Sequence, residues 1–331
     1  MKRLVRQPRL IAFSMALITS LFLLSQSSLP ALAAPSVTLF SAIVPRGITA
    51  GPDGNLWYVQ TGIANDIGRI TPSGTITDFA IPTASSSPED ITTGPDGNLW
   101  FTESAGKIGR ITTSGTITEF SLASGSGPYG ITAGPDGNLW FADASGKIGR
   151  ITTSGKVTEF STHDPSCSVA TVGCLPTGIT AGPDGNLWFT DQLSNKIGRI
   201  TTSGVITEFT VPTAGGAPRG ITAGPDGNLW FTEIDGGKIG RITPSGTITE
   251  FPLTSTCGEY GCGPVGITKG PDGNLWFTNF NGGVASITTS GTFTTGVGAV
   301  KKSQPYGITA GPGGTIWFTE VSGGKIARVT L

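Results

Sequence analysis

A ten-residue unit recurs seven times along this chain, and a fold must accommodate all seven copies in equivalent places. The unit reads Gly-Pro-Asp-Gly-Asn-Leu-Trp-Phe-Thr-(Glu/Asp); four copies keep it closely and three are variants. Spacings of 43, 40, 48, 42, 46 and 41 residues separate the tryptophans that mark it. A period of 40–50 residues is typical of a repeat architecture. All seven tryptophans of the protein occupy the same place in the unit: Trp57, Trp100, Trp140, Trp188, Trp230, Trp276 and Trp317.

Each unit also carries the pattern of four short strands. In the third unit the predicted strands are Gly130–Ala133, Leu139–Asp143, Lys147–Thr152 and Val157–Phe160, separated by Gly- and Asp-rich turns. Apolar and β-branched alternation bounded by such turns predicts antiparallel hairpins. Seven repeats of four strands, with no helical period, predict an all-β fold, a seven-bladed β-propeller with four antiparallel strands per blade. An open solenoid is the alternative.

The two ends of the repeat favour the closed ring. The last unit stops at Lys325–Leu331, after its third strand, whereas Ser36–Phe40 matches the fourth-strand pattern of Thr116–Phe120. We therefore expect the N-terminal strand (Ser36–Phe40) to complete the last blade and close the ring. A solenoid needs polar caps and gains nothing from a divided unit.

Residues 1–33 have the pattern of a secretory signal peptide. Four basic residues precede an apolar run, Ile11–Leu24, and Ala31-Leu32-Ala33 forms a small-residue cleavage site. The run is shorter than the ~20 residues of a membrane span, so an uncleaved membrane anchor is the weaker alternative. We expect no membrane span after signal removal. Residues 34–331 are then predicted to form a single propeller domain, secreted and monomeric.

Removal of the signal leaves 17 basic against 22 acidic residues, a net charge of −5. A mildly acidic surface argues against nucleic acid or an anionic membrane as partner.

Four cysteines fall into two local pairs, Cys167/Cys174 and Cys257/Cys262. Both pairs lie in predicted loops that connect one blade to the next. An even number of cysteines in an exported chain predicts disulfides, and two local bridges fit these non-adjacent junctions. A four-thiolate metal site is the functional alternative.

Two sets of positions are expected to meet at one mouth of the central channel, where propellers bind ligands. The inner-strand ring lies at the start of each inner strand: Arg46, Glu89, Tyr129, Thr177, Arg219, Val265 and Tyr306. The second-strand ring lies at the end of each Trp-bearing strand: Gln60, Glu103, Asp143, Asp191, Glu233, Asn279 and Glu320. We predict ligand-binding roles for these members: Arg46, Glu89, Tyr129, Arg219, Tyr306, Glu103, Glu233 and Glu320.

The inner-strand ring is chemically mixed in an otherwise regular repeat, as a pocket for an asymmetric ligand requires. The acids of the second-strand ring have a structural alternative, because each is predicted to pair across its hairpin with a basic residue of the Lys-Ile-Gly-Arg strand. Acids on the outer strands, such as Glu119 and Glu250, are interpreted as protection of exposed sheet edges. Six Asp-Gly-Asn turns, at Asp53 and its equivalents, are assigned to turn chemistry rather than to calcium.

His163 is the only histidine, in a predicted loop outside the repeat, and no serine sits in a nucleophile-elbow pattern. The sequence therefore predicts no catalytic residue.

The unit Pro-x-Gly-Ile-Thr-x-Gly-Pro-Asp-Gly-Asn-Leu-Trp-Phe-Thr-Glu, followed by Lys-Ile-Gly-Arg-Ile, resembles that of the virginiamycin B lyase (streptogramin lyase) family over the whole of residues 34–331. The resemblance implies a seven-bladed ring and elimination at an ester bond of cyclic depsipeptides. It also implies a magnesium ion held by carboxylates and histidines that bind substrate and remove a proton. Glu89, Glu103, Glu233 and Glu320 are the ring acids available as metal ligands, whereas no ring position holds a histidine.

The sequence therefore favours a secreted propeller that binds an extracellular glycan, peptide or protein without the lyase base. A magnesium-dependent lyase that acts on a cyclic depsipeptide or a related substrate is the alternative. A structural propeller of the cell envelope is the third possibility.

Overall fold

Short strands separated by glycine-rich turns build the whole of the described chain. A computed structural model describes residues 35–162, 174–253, 263–294, 296–297 and 303–331. Within these ranges every regular element is a strand, and the search for a long apolar helix able to cross a membrane found none.

The strands fall into four concentric sets. The inner strands are β2 (Pro45–Ala50), β6 (Pro88–Thr93), β10 (Pro128–Ala133), β14 (Pro176–Ala181), β18 (Pro218–Ala223), β22 (Pro264–Lys269) and β25 (Pro305–Gly311). The second strands, which carry the tryptophans, are β3 (Leu56–Gln60), β7 (Leu99–Glu103), β11 (Leu139–Asp143), β15 (Leu187–Asp191), β19 (Leu229–Glu233), β23 (Leu275–Asn279) and β26 (Thr315–Glu320).

The remaining strands complete each blade towards the outside. The third strands are β4 (Asp66–Ile70), β8 (Lys107–Ile111), β12 (Lys147–Ile151), β16 (Lys196–Ile200), β20 (Lys238–Ile242), β24 (Val284–Ile287) and β27 (Lys325–Thr330). The outer strands are β5 (Ile76–Ala80), β9 (Ile117–Ser121), β13 (Val157–Ser161), β17 (Ile206–Thr210), β21 (Ile248–Pro252) and β1 (Ser36–Ser41).

The predicted ring and its closure are confirmed. Each blade is an antiparallel sheet with strands in sequence order, except the seventh, whose order is β1-β27-β26-β25. Strand β1 pairs with β27 from Ser36 opposite Thr330 to Ser41 opposite Lys325. Inner strand β2 contacts both β6 and β25, so the first and last blades are neighbours as well.

The sixth blade departs from the pattern. Among its described residues it has three regular strands, and isolated bridges at Phe293 and Val297 stand where the fourth strand lies in the other blades. Phe293 meets Phe277 edge to face, with ring centroids 6.2 Å apart.

The core lies between blades rather than within them, in seven apolar clusters that each join neighbouring blades. In the third blade Trp140 stacks on Phe160 of the outer strand, with ring centroids 5.5 Å apart. The guanidinium of Arg150 covers Trp140 from the third strand and donates to the carbonyl of Thr202 in the next blade, at 3.1 Å. Six blades keep this arginine, but the sixth has Ser286 in its place.

The Asp-Gly-Asn turns stabilise the same core through hydrogen bonds to the buried tryptophans. Asp136 Oδ1 accepts the indole N–H of Trp140 at 3.0 Å, and Asp136 Oδ2 accepts the side-chain amide of Asn138 at 2.8 Å. The pair recurs at Asp53, Asp96, Asp184, Asp226 and Asp272. Each aspartate thus satisfies a buried donor of its own blade, in agreement with turn chemistry.

Candidate functional site

The starts of the inner strands surround a cavity at one mouth of the central channel. Its volume is about 180 Å³, below the roughly 300–1,000 Å³ typical of pockets that enclose a drug-sized ligand. Six members of the inner-strand ring line it: Glu89, Tyr129, Thr177, Arg219, Val265 and Tyr306.

The backbone holds these ring residues in place through the glycine that follows most of them. A Cβ atom on Gly178 would lie 2.3 Å from the carbonyl oxygen of Arg219, and one on Gly307 would lie 2.5 Å from that of Arg46. Only glycine therefore allows one inner strand to approach the next so closely.

Threonine hydroxyls of the second strands fix the same carbonyls. Thr190 Oγ1 donates to Arg219 O at 2.6 Å, and Thr319 Oγ1 donates to Arg46 O at 2.7 Å. Thr102 and Thr278 bind the carbonyls of Tyr129 and Tyr306 in the same way. The four half-buried ring residues thus project from a backbone that the preceding blade fixes.

The side chains of Arg46, Glu89, Arg219 and Tyr306 form one network across the mouth. Arg46 Nη1 forms an ion pair with Glu89 Oε2. Arg219 Nη2 donates to the hydroxyl of Tyr306 at 2.8 Å. Both guanidiniums also lie over the Tyr306 ring, 5.3 Å (Arg46) and 5.0 Å (Arg219) from its centroid. Five predicted ligand-binding residues, these four and Tyr129, therefore come together.

Burial and the neighbouring charges of this network shift the pKa values of its side chains. Burial raises the pKa of Glu89 above its ordinary value, and the charges of Arg46 and Arg219 offset only part of that rise. Burial would lower the pKa of Arg46, but Tyr306 and Glu89 outweigh it and raise the pKa. Burial, then the charge of Glu89, raises the pKa of the Tyr129 hydroxyl. Arg46 therefore stays charged, and Tyr129 stays a neutral donor.

Asp90 is a channel residue that the sequence analysis missed. It lines the cavity, and its carboxylate accepts the backbone N–H of Ile91 at 2.9 Å and of Ile131 at 3.2 Å. Burial raises its pKa to about 6, although these two N–H groups act in the opposite direction. The signal was present, because Pro-Glu-Asp-Ile-Thr replaces the Pro-x-Gly-Ile-Thr of the other six units.

The second-strand ring lies inside the blades, away from the residues that line the cavity. Asp143 Oδ1 accepts the backbone N–H of Gly127 at 3.1 Å, and Asp191 Oδ1 accepts that of Leu175 at 2.9 Å. Gln60 and Asn279 bind the backbone at Ile43 and Gly263 in the same way. Each of these four side chains therefore anchors the loop that leads into an inner strand.

The glutamates of this ring are fully buried as well. Glu103, Glu233 and Glu320 are all 0% exposed. Burial, followed by the charge of Glu119, raises the pKa of Glu103 to about 8. Burial and then Glu250 raise the pKa of Glu233 to about 7. At neutral pH the Glu103 carboxyl group is therefore largely protonated, and that of Glu233 is close to half protonated.

The partner predicted for these acids is wrong in the second and fifth blades. Lys107 forms its ion pair with Glu119 of the outer strand, at 3.3 Å, rather than with Glu103. Lys238 likewise binds Glu250, at 2.7 Å, rather than Glu233. The outer-strand acid is the more exposed one and keeps its charge at lower cost, so the lysine pairs with it.

The outer-strand acids are therefore more than edge protection. Glu159 and Glu208 also accept a lysine of the third strand, at 2.7 Å and 2.8 Å. Thr213 donates its backbone N–H and its hydroxyl to the two oxygens of Glu250. These acids link the outer strand to its own blade and, at Thr213, to the preceding connection.

A magnesium ion does not fit the carboxylates as the structure arranges them. Glu103, Glu233 and Glu320 are buried in three different blades, and Glu89 is already paired with Arg46. Among the described residues, no group of three or more His, Cys, Asp or Glu side chains is placed to hold a metal.

Several predictions of the sequence analysis lie outside the described residues. They concern His163, Cys167, Cys257, Cys262 and the signal segment 1–33. The Cys257/Cys262 disulfide therefore stays a prediction.

Cys174 differs from the other three cysteines, because it lies within the described residues and is disulfide-bonded. The predicted pairing of Cys174 with Cys167 is nevertheless not confirmed, since Cys167 is outside the described ranges, and it stays a prediction. Cys174 is not one of the residues that line the cavity. It directly precedes Leu175, whose backbone N–H binds Asp191, so its place is in the anchored connection into β14 rather than at the channel mouth.

Comparison with known proteins agrees with this architecture. A sequence model of the Virginiamycin B lyase family matches residues 37–172 and 163–331. A comparison with curated protein sequences gives no significant match.

Solved structures extend the comparison. A streptogramin B lyase structure is 36% identical, with a TM-score of 0.81 over 90% of this chain and 98% of the other. A catalytically inactive virginiamycin B lyase from Staphylococcus aureus, with one histidine replaced by alanine and solved with quinupristin, is 40% identical. Its TM-score is 0.81 over 90% of this chain and 100% of the other. The extracellular domain of a two-component system from B. thetaiotaomicron shares the fold at 15% identity, with a TM-score of 0.68 over 89% of this chain and 42% of the other.

Proposed function

The chain belongs to the virginiamycin B lyase family, and we propose that it is a secreted propeller that binds an extracellular glycan, peptide or protein at the channel mouth, without lyase activity. The network of Arg46, Glu89, Arg219 and Tyr306 is the observation that carries this proposal. Three of its side chains, Glu89, Arg219 and Tyr306, line the cavity. The backbone beneath the network is held by glycine contacts and threonine hydroxyls, and such preorganisation reduces the cost of binding.

The absence of a matched base supports binding over elimination. A relative in which one histidine is replaced by alanine is catalytically inactive. This chain has a single histidine, His163, which matches no position of the repeated sequence unit. Proton abstraction needs a base within hydrogen-bond reach of the substrate. At the mouth Glu89 is paired with Arg46, and Asp90 accepts two backbone N–H groups.

Secretion is the second part of the proposal. It rests on the basic segment, apolar run and small-residue site of residues 1–33. A relative of the same fold is the extracellular domain of a two-component system.

Binding is tested with the chain from Ala34 onward on glycan and peptide arrays. We expect a saturable ligand whose binding is lost in Tyr306→Ala, because this variant removes the ring between both arginines. Lys156→Gln is the matched control, since Lys156 lies in the turn at the opposite face. If Tyr306→Ala still binds the ligand, the binding site lies elsewhere on the protein. If no ligand binds at all, the structural propeller is favoured.

The lyase alternative is tested separately. Mass spectrometry follows linearisation of a streptogramin B-type depsipeptide by the folded chain with magnesium, with and without chelator. We expect no turnover. Chelator-sensitive turnover would overturn the proposal and assign the missing base to a carboxylate.

A further inference from the structure

The two arginines at the mouth are not equivalent. Arg46 is paired with Glu89, the one carboxylate of the inner-strand ring. Arg219 forms no ion pair within the described part of the chain, and its guanidinium contacts the Tyr306 hydroxyl and ring there. Arg219 and Glu89 both line the cavity, but Glu89 is paired with Arg46, which is not among the lining residues.

We propose that Arg219 and Tyr306 bind a carboxylate at one end of the ligand, such as the free C-terminus of a peptide. The inference rests on the proposed function and specifies the class of ligand for the same site.

The geometry of the donors supports a carboxylate. A guanidinium presents five N–H donors in a planar fork that matches the two oxygens of a carboxylate. Arg219 uses Nη2 for the Tyr306 hydroxyl, which accepts this bond and keeps its own proton to donate. Two neighbouring groups thus offer donors to one anion.

The charge and the volume of the cavity narrow the class of ligand further. One guanidinium without an acid partner matches one negative charge, and Glu89 beside it disfavours a doubly charged anion. Asp90, which also lines the cavity, adds to that repulsion whenever it is ionised. A cavity of about 180 Å³ holds an end group, so the remainder of the ligand rests on the rim.

The test is an NMR titration of the chain from Ala34 with N-acetylglycine, its neutral amide and inorganic phosphate. We expect N-acetylglycine to shift resonances at the mouth saturably, in the wild type and in Lys156→Gln. Arg219→Gln should weaken the affinity at least ~10-fold, about 1.4 kcal/mol. The amide should not bind, and phosphate should bind more weakly than N-acetylglycine.

Four results would overturn the inference. They are no binding of N-acetylglycine, equal binding of the amide, an affinity of Arg219→Gln equal to that of the wild type, and tighter binding of phosphate. Thermal unfolding of Arg219→Gln verifies that the variant is folded.

The two proposals fail in different ways. If N-acetylglycine does not bind, while an array ligand binds the wild type and not Tyr306→Ala, the carboxylate is wrong and the binding propeller stands. If no array ligand loses binding in Tyr306→Ala, the proposed function itself is wrong.

Discussion

The two faces of the ring differ in how closely the blades repeat one another. On the face of the Asp-Gly-Asn turns, six blades use the same aspartate to bind the same tryptophan at 3.0–3.1 Å. On the face of the channel mouth, the inner-strand ring has five residue types in seven positions.

The difference shows which positions stabilise the ring and which are available for recognition. Every blade must pack on its neighbour, so the residues at each of the seven blade interfaces must meet the same packing requirement. A ligand is not seven-fold symmetric, so the positions that contact it must differ. Substitutions at the regular positions should therefore change stability, and substitutions in the inner-strand ring should change binding.

The largest effect is expected from Trp140→Ala. The side chain is fully buried, stacks on Phe160 and lies under Arg150. Its loss should lower the free energy of unfolding by about 3–5 kcal/mol, measured by denaturant titration. Trp276→Ala in the sixth blade should cost less, because that blade has no equivalent of Arg150. An equal loss in both blades would contradict the comparison.

The buried acid Glu103 should make stability depend on pH. Its pKa is about 8 in the folded protein and near ~4.3 in an unfolded chain. Between these two pKa values the folded protein binds more protons than the unfolded chain. The contribution of Glu103 to the free energy of unfolding is therefore fully present below the unfolded pKa and is lost as pH rises through about 8.

Denaturant titrations from pH 5 to pH 9 measure this effect. We expect a loss of the order of a few kcal/mol in the wild type. Glu103→Gln should flatten the curve, because an amide keeps the shape without the charge. An unchanged slope in Glu103→Gln would show that another group titrates.

A smaller effect is expected from Asp136→Ala on the turn face. The substitution leaves the buried indole N–H of Trp140 without its acceptor, which should cost about 1–3 kcal/mol. Thermal unfolding measures the change. Lys156→Gln, in the other turn of the same blade, should leave stability within about 0.5 kcal/mol of the wild type.

The smallest effect on stability is expected from Tyr129→Phe at the mouth. The ring is kept and only the hydroxyl is removed, so stability should change by less than about 0.5 kcal/mol. The affinity for an array ligand should nevertheless fall, because Tyr129 lines the cavity and its hydroxyl interacts electrostatically with Glu89, Arg46 and Arg219. A large loss of stability with unchanged affinity would reverse the assignment of the two faces.

The repeat was sufficient to predict the ring, its closure and the meeting of the inner-strand residues. These follow from local patterns, because each tryptophan and each turn occupies an equivalent place. The pairing of Lys107 with Glu119 was not predictable in this way. Thr83, from the connection before the blade, donates to Glu119 and sets its position, and no pattern within one hairpin reveals that contact.

Burial of the second-strand ring was missed for a related reason. The sequence places Glu103 at the end of a strand and near the mouth, but the depth of its side chain depends on the loop that covers it. Ser86, in the connection before β6, approaches its carboxyl group. Asp90, in contrast, was detectable as a break in the repeat.

The seam between β1 and β27 also determines how the ring responds to mechanical force. Ser36 lies opposite Thr330, and Ser41 lies opposite Lys325, so the first residue of β1 and the last residue of β27 lie at the same end of the strand pair. Tension between Ser36 and Leu331 therefore loads the hydrogen bonds one after another rather than all together. The ring should open at low force by unzipping this strand, while the other six blades stay folded.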